Sequence, residues 1–118
     1  MIECHIEGSD TVELKMSDEV TAADYKKVTP LIEGFMAKKG RLKFLIVLDN
    51  LKSFGPGAIW EDLKFDIKHL KNVGDTAIVG ESKAQSFLAK GIDKIFPAKV
   101  KYFERNQLDA AKSWLESV

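Results

Sequence analysis

Residues 42–48 read Leu-Lys-Phe-Leu-Ile-Val-Leu, an apolar run with a single lysine in it. A short run of this kind is typical of a strand buried on both faces in the middle of a sheet, and Asp49 is expected to end it. Residues 76–79, Thr-Ala-Ile-Val, repeat the pattern before Gly80, and residues 100–103 supply a last strand. Strands buried on both faces belong to parallel sheets that helices cover.

The first residues of the chain predict a β-hairpin. Apolar and polar residues alternate over residues 2–7 and again over residues 11–16, which is the pattern of two antiparallel strands with one wet face. The turn between them contains Gly8, which tolerates a positive φ, followed by serine and aspartate. On this pattern Ile2, Cys4 and Ile6 face the core.

Helical spacing follows the hairpin from Thr21 onward. Thr21 and Asp24 resemble a capping box, and Gly40 is expected to close the helix. Pro30 lies inside this segment and removes one backbone donor, so a kink or a second helix start is expected there. The apolar stripe of the helix consists of Ala22, Tyr25, Val28, Ile32, Phe35 and Met36.

Helical spacing also returns between and after the later strands. It covers residues 57–71 and 82–95, and a terminal helix is expected to open at Asn106. The element order is therefore ββαβαβαβα, whose later part implies right-handed crossovers. The sequence predicts one α/β domain over residues 1–118, in which an N-terminal antiparallel hairpin leads into a mostly parallel sheet of about five strands with about four covering helices.

Composition narrows the classes of function. The 118 residues include 18 basic and 18 acidic side chains, so no net charge draws the chain to nucleic acid. No apolar run approaches the ~20 residues of a membrane helix, and no secretory signal is recognisable at the start. With Cys4 as the single cysteine, a soluble cytoplasmic protein without disulfides is expected. Two histidines far apart predict no metal site, and no motif predicts a cofactor.

An ordered set of segments carries a family resemblance; the segments are residues 49–54, 58–65, His69, 76–80, 100–103 and 110–115. They resemble the SpoIIAA-like bacterial family, and the resemblance covers nearly the whole chain. That family is similar in fold to STAS domains, which include the anti-sigma factor antagonists. The resemblance implies a regulatory module that binds another protein, and lipid-associated tasks in the wider group imply a carrier of a small apolar ligand as the alternative.

The resemblance draws attention to the stretch after the central strand. In the antagonists a phosphorylatable Ser or Thr, usually followed by Gly, lies at the start of the helix after that strand. The equivalent stretch here is expected to be a loop over residues 50–57, in which Ser53 is the available hydroxyl group. Phe54 occupies the position of the family's glycine, and several residues separate Ser53 from the next helix. Ser53 is therefore either a phosphorylation site or an ordinary loop serine.

One face of the predicted second helix carries a second group of candidates. Asp62, Phe65 and His69 follow helical steps and share a face, and the resemblance matches each of them. Phe65 either packs under a neighbouring element or lines a pocket whose mouth carries Asp62 and His69. Together with Phe54 they are the candidate residues for a partner or a ligand, and exposed Phe54 and Phe65 would be compatible with a homodimer.

A third hypothesis is a small enzyme that uses Asp62 and His69. No nucleophile, phosphate loop or metal motif supports it, so the chain is expected to be non-enzymatic and no catalytic residue is assigned. Cys4 lies on the inward side of the predicted hairpin, where a thiol usually serves as a small apolar side chain.

Overall fold

Five strands form one mixed sheet in the order β1-β2-β3-β4-β5. The computed structural model describes residues 1–8, 10–55, 57, 68, 72–80 and 99–117, without the side chains of residues 7 and 54. β1 and β2 pair antiparallel, and the later pairs are parallel, which confirms the predicted hairpin leading into a mostly parallel sheet. The strands are β1 Ile2–Glu7, β2 Thr11–Val20, β3 Leu42–Phe54, β4 Val73–Gly80 and β5 Val100–Glu104.

Two α-helices occur in the part of the chain that the structure describes, rather than the predicted number of about four. They are α1, Ala22–Lys39, and α2, Leu108–Ser117. The helices predicted over residues 57–71 and 82–95 lie outside the described residues, apart from Gly57, which is in a turn, and Lys68, which is helical. A 3₁₀ turn over Arg105–Gln107 precedes α2, so the predicted helix start at Asn106 is wrong by two residues.

Helix α1 begins and ends where the sequence predicts. The Thr21 hydroxyl accepts the Asp24 N–H at 3.2 Å, and the Asp24 carboxylate accepts the Thr21 N–H at 2.8 Å, which completes the capping box. Gly40 ends the helix with φ of 80°. Of the two outcomes expected at Pro30, the second helix start is wrong, because α1 is continuous through Pro30. The kink stays a prediction. Pro30 and Lys26 are both exposed, so water can serve the carbonyl group that proline leaves without a donor.

The core has two parts, one on each face of the sheet, and β3 contributes to both. On one face α1 packs against β1 and β2, and the largest cluster there includes Leu42 and Phe44. On the other face α2 packs across β3, β4 and β5, where Leu45 meets Ala111 and Leu115. Residues of β3 alternate between the two clusters, so the prediction of a central strand buried on both faces is confirmed.

The hairpin buries less than its alternation predicts. Val12, Leu14 and Met16 of β2 are buried as expected, but in β1 burial decreases from Ile2 to Ile6. Ile6 is 50% exposed, so its predicted place in the core is wrong. β1 is the outer strand of the described sheet and has a neighbouring strand on one side, which leaves its far end with little cover.

Strand β3 is longer than predicted. Asp49 does not end it, and the expected loop over residues 50–57 is strand as far as Phe54. The continuation depends on Asn50 and Asp18, which adopt positive φ values of 53° and 54° in the paired strands. Asparagine and aspartate are the residue types that tolerate this region best after glycine. The pairing of β2 with β3 shifts its register around Asp18 and then continues to Phe54.

Glycine-to-alanine changes at two positions test the packing of β3 against β4. A Cβ at Gly74 would lie 2.7 Å from the Leu42 carbonyl oxygen, whereas a Cβ at Gly34 in α1 would meet nothing within 4 Å. We expect Gly74→Ala to lower the free energy of unfolding, because backbone must shift. The matched change Gly34→Ala should raise it by about 0.5 to 1 kcal/mol, the helix preference of alanine over glycine. Urea denaturation measures both, and equal effects would contradict the close approach.

The capping box of α1 predicts a dependence of stability on pH. The Thr21 N–H, the Thr21 hydroxyl and the nearby Met1 amino group together lower the pKa of Asp24. A carboxyl group with a lowered pKa stabilises the fold fully above its unfolded pKa of about 3.9, and this contribution is lost as the pH falls through the lowered value. The difference in urea midpoint between the natural protein and Asp24→Asn should be constant near neutrality and shrink below about pH 4. A difference that does not change with pH would contradict this assignment.

Candidate functional site

The carboxyl ends of β2 and β3 form an exposed polar surface. Beyond the two positive-φ residues the strands stay parallel and paired, with Glu19 opposite Ser53 and Val20 opposite Phe54. The Gly55 N–H then donates to the Val20 carbonyl oxygen at 2.6 Å, which holds the end of β3 against β2. We call the exposed side chains here the carboxyl-edge surface; they are Asp18, Glu19, Lys52 and Ser53.

Ser53 lies on a strand and not at the start of a helix. Its side chain is exposed, and its hydroxyl group donates to Glu19 Oε2 at 3.4 Å. The placement in β3 differs from the loop expected from the sequence, because the ladder with β2 extends further than the apolar run that predicts it. The hydroxyl group is accessible and is presented by paired backbone.

The amino group of Met1 binds the backbone of β2 on both sides of Asp18. The Met1 amino group donates to the carbonyl oxygens of Ser17 at 2.7 Å and of Glu19 at 2.6 Å. The same amino group lies 3.5 Å from Asp24 Oδ2, next to the first turn of α1. The carboxyl-edge surface is therefore bordered by a positive charge and by the capping box of α1.

A cluster of three charged side chains crosses the α2 face of the sheet. Asp49 in β3 lies 3.4 Å from the Lys15 ammonium group in β2 and 3.2 Å from the Arg105 guanidinium group after β5. The side chains are 27%, 44% and 64% exposed, respectively. No local pattern in the sequence predicts this cluster. Alternation places Lys15 on the wet face, but joining it to Arg105 requires the order of the strands.

A cleft of about 300 Å³ lies at the opposite end of the sheet, near the starts of β2 and β3. Lys43 crosses it and donates from its ammonium group to the Leu115 carbonyl oxygen at 2.6 Å. The lining is mixed, with apolar leucines and charges of both signs. No local pattern in the sequence predicts this cleft either, because it forms where α2 docks on the sheet. The lining residues are Gly8, Asp10, Thr11, Lys43, Leu45, Lys112, Leu115 and Glu116.

The structure describes only some of the predicted site residues. Phe54 is the last residue of β3, and its backbone pairs with Val20. Asp62, Phe65 and His69 lie outside the described residues, so the shared face that they are expected to form stays a prediction.

Cys4 is half-buried among the core residues of the α1 face. Burial raises the pKa of the Cys4 thiol, so the protonated form dominates near neutral pH and the thiolate nucleophile is scarce. Within the described ranges, no three histidine, cysteine, aspartate or glutamate side chains are close enough together to hold a metal ion. Over the same ranges, neither helix has the length and apolar character needed to cross a bilayer.

The fold and this edge define a small α/β module with a mixed sheet and an N-terminal hairpin. The chain belongs to the SpoIIAA-like family, whose family model matches residues 11–116. None of the curated proteins matches the sequence.

The solved structures similar to this chain include two that match over nearly its full length. One is an uncharacterized protein of the DUF3478 family with a SpoIIAA-like fold, from Shewanella loihica PV-4; it has 28% identity and a TM-score of 0.82, over 98% of this chain and 92% of that one. The other is the anti-sigma factor antagonist SpoIIAA in its unphosphorylated form, with 9% identity and a TM-score of 0.71 over the full length of both chains. At that identity the second likeness shows the fold alone.

The charged cluster predicts a salt-dependent contribution to stability. Asp49→Asn should lower the free energy of unfolding by less than about 1 kcal/mol at low salt, because partly exposed ion pairs are weak. The loss should shrink further at 1 M salt, where the screening length is only about 3 Å. Urea denaturation at both salt concentrations measures it, with the exposed Asp109→Asn as the matched control. A loss that is the same at both salt concentrations would show that Asp49 acts through packing.

Proposed function

We propose that this chain is a non-enzymatic, STAS-like regulatory module that binds another protein through its carboxyl-edge surface. The observation that carries the proposal is the exposed Ser53 hydroxyl group, held on paired backbone beside Glu19 at the carboxyl ends of parallel strands. In open α/β sheets, binding sites form outside these ends. The structurally similar antagonist is named for its action in a protein regulatory system and is described in an unphosphorylated form, which supports a phosphorylation-controlled contact here.

The shape of the surface favours a protein over a small apolar ligand. Sites for apolar ligands are concave and mostly apolar, with few polar groups. The carboxyl-edge surface instead presents charged and hydroxyl side chains from extended strands, and the cleft at the other end of the sheet is crossed by Lys43. Protein contact therefore stands ahead of the carrier function.

Phosphorylation of Ser53 would change the charge of this surface sharply. A phosphate group adds about −1.5 to −2 charges near neutral pH. The Ser53 hydroxyl group already lies 3.4 Å from the Glu19 carboxylate, so the new charge would meet like charge. We propose that the unmodified surface binds the partner and that phosphorylated Ser53 releases it. Phe54, Asp62, Phe65 and His69 remain candidate partner residues of this proposal.

A photo-cross-linking residue tests the location of the contact. It is introduced at Lys52 on the carboxyl-edge surface and, as the matched control, at Lys39, an exposed lysine at the far end of α1. Irradiation in cells should give an adduct with another protein from the Lys52 position and little from the Lys39 position. In the Lys52 variant, Ser53→Glu should lower the adduct yield severalfold, and Ser53→Ala should leave it nearly unchanged, because only the first adds charge.

Three results would overturn this proposal. Equal adduct yields from the Lys52 and Lys39 positions would contradict binding of the partner at the carboxyl-edge surface. An adduct yield from the Lys52 position that Ser53→Glu leaves unchanged would contradict the phosphorylation switch. A small molecule that stays with the native protein in mass spectrometry and leaves on denaturation, with no protein adduct, would establish the carrier function instead.

A further inference from the structure

Strand β1 presents a free edge within the described sheet. It pairs with β2 on one side, and the described residues place no strand on its other side. The outer side of such a strand carries N–H and C=O groups that can pair with another chain. Proteins that keep an edge unpaired often place charged side chains, especially lysine, or proline on it. Strand β1, Ile-Glu-Cys-His-Ile-Glu, has no lysine or proline, and its charged residues are the glutamates at positions 3 and 7.

The hydrogen bonds at Met1 show which groups of β1 point outward. The Ser17 N–H donates to the Met1 carbonyl oxygen at 2.9 Å, and the Met1 amino group donates back to Ser17, so these two form a hydrogen-bonded pair. Such pairs alternate along an antiparallel ladder. Glu3 and His5 therefore also bond toward β2. The outer edge carries the N–H and C=O groups of the residues between them, Ile2, Cys4 and Ile6.

We propose that two copies of this chain join through β1 as an antiparallel pair, with Cys4 opposite Cys4 at the two-fold axis. The two sheets then form one continuous sheet of ten described strands. In this register Ile2 of each copy lies opposite Ile6 of the other, and all the outward backbone groups of these residues are paired. A two-fold contact of this kind is self-complementary and closed, so it stops at a dimer.

The charges of β1 select this register. With Cys4 on the two-fold axis, Glu3 lies opposite His5 of the second copy, twice, and an imidazole N–H can donate to a carboxylate. Shifting the strands by two residues in one direction places Glu3 opposite Glu3, and in the other direction His5 opposite His5. Two carboxylates directly opposite each other destabilise a sheet, and the His5–His5 register loses both Glu3–His5 contacts, so the centred register is favoured.

Two exposed apolar side chains lie where the second copy would cover them. Ile6 is 50% exposed on β1, and Leu31 is 61% exposed on α1. Glu33 of α1 pairs with Lys68, in the connection from β3 to β4, and Leu31 projects from the opposite side of the helix, toward the β1 edge. The two-fold axis is perpendicular to the sheet, so both α1 helices lie on the same face, and Leu31 faces the second copy.

Sedimentation of the full chain tests the dimer. The natural protein is expected to sediment as a dimer, and Ile6→Lys as a monomer, because a charged lysine on the edge would lie opposite Ile2 of the second copy. The matched control is Ala110→Lys, at an exposed position of α2 on the other face of the sheet, which should leave the dimer intact. A natural protein that stays monomeric up to its solubility limit would overturn the proposal.

Disulfide cross-linking tests the register in a Cys4→Ser background. Glu3→Cys and His5→Cys proteins are mixed and oxidised, and a cross-link between the two is expected because opposite residues are about 4.5 Å apart between Cα atoms. Either protein alone should cross-link several times less, since its two cysteines lie about 7 to 8 Å apart on the diagonal, beyond easy disulfide reach. In the control, Glu3→Cys is mixed with Glu13→Cys, whose changed position lies on β2 opposite His5. These two proteins should not cross-link. Efficient cross-linking of Glu3→Cys with itself would overturn the register.

Discussion

The parallel ladder between β2 and β3 is the constraint on which the other parts of the structure depend. It places β3 in the centre of the sheet, where alternate residues serve the α1 cluster and the α2 cluster. Because the ladder continues past two positive-φ residues, Asp18 and Asn50, it also carries Ser53 to the end of the sheet. One set of backbone hydrogen bonds thus supports the core and presents the candidate surface.

Local patterns predict those features that local interactions decide. The run over residues 42–48 identifies the central strand, and the spacing of Thr21 and Asp24 identifies the start of α1, since both signals lie within a few residues of what they determine. The length of β3 escapes such patterns. An asparagine after an apolar run usually ends a strand, whereas here the pairing of Leu51, Ser53 and Phe54 with β2 continues the strand past Asn50.

The candidate site is less predictable than the fold because it depends on the order of the strands. It also depends on a phosphorylation switch that is expected from the family resemblance. Sequence reasoning identifies Ser53, but it places the residue in a loop, whereas the structure shows it on a paired strand. The Lys15–Asp49–Arg105 cluster joins residues from three segments, and no spacing in the sequence connects them. Ile6 is exposed for a similar reason: alternation assigns its face, but the cover over that face is decided by where α1 lies.

The two proposed surfaces are compatible within one assembly. β1 and β2 are antiparallel, so the carboxyl end of β2 lies beside the start of β1. A two-fold axis through Cys4 reverses the strands, and the carboxyl-edge surfaces of the two copies would then lie at opposite ends of the joined strands and face away from each other. Neither copy would block the other's surface, so a dimer could bind two partner molecules at once. Phosphorylation of one Ser53 would release one partner and leave the second contact unchanged. The phosphate group would lie too far from the second copy's Ser53 for its charge to act there through a salt solution that screens it.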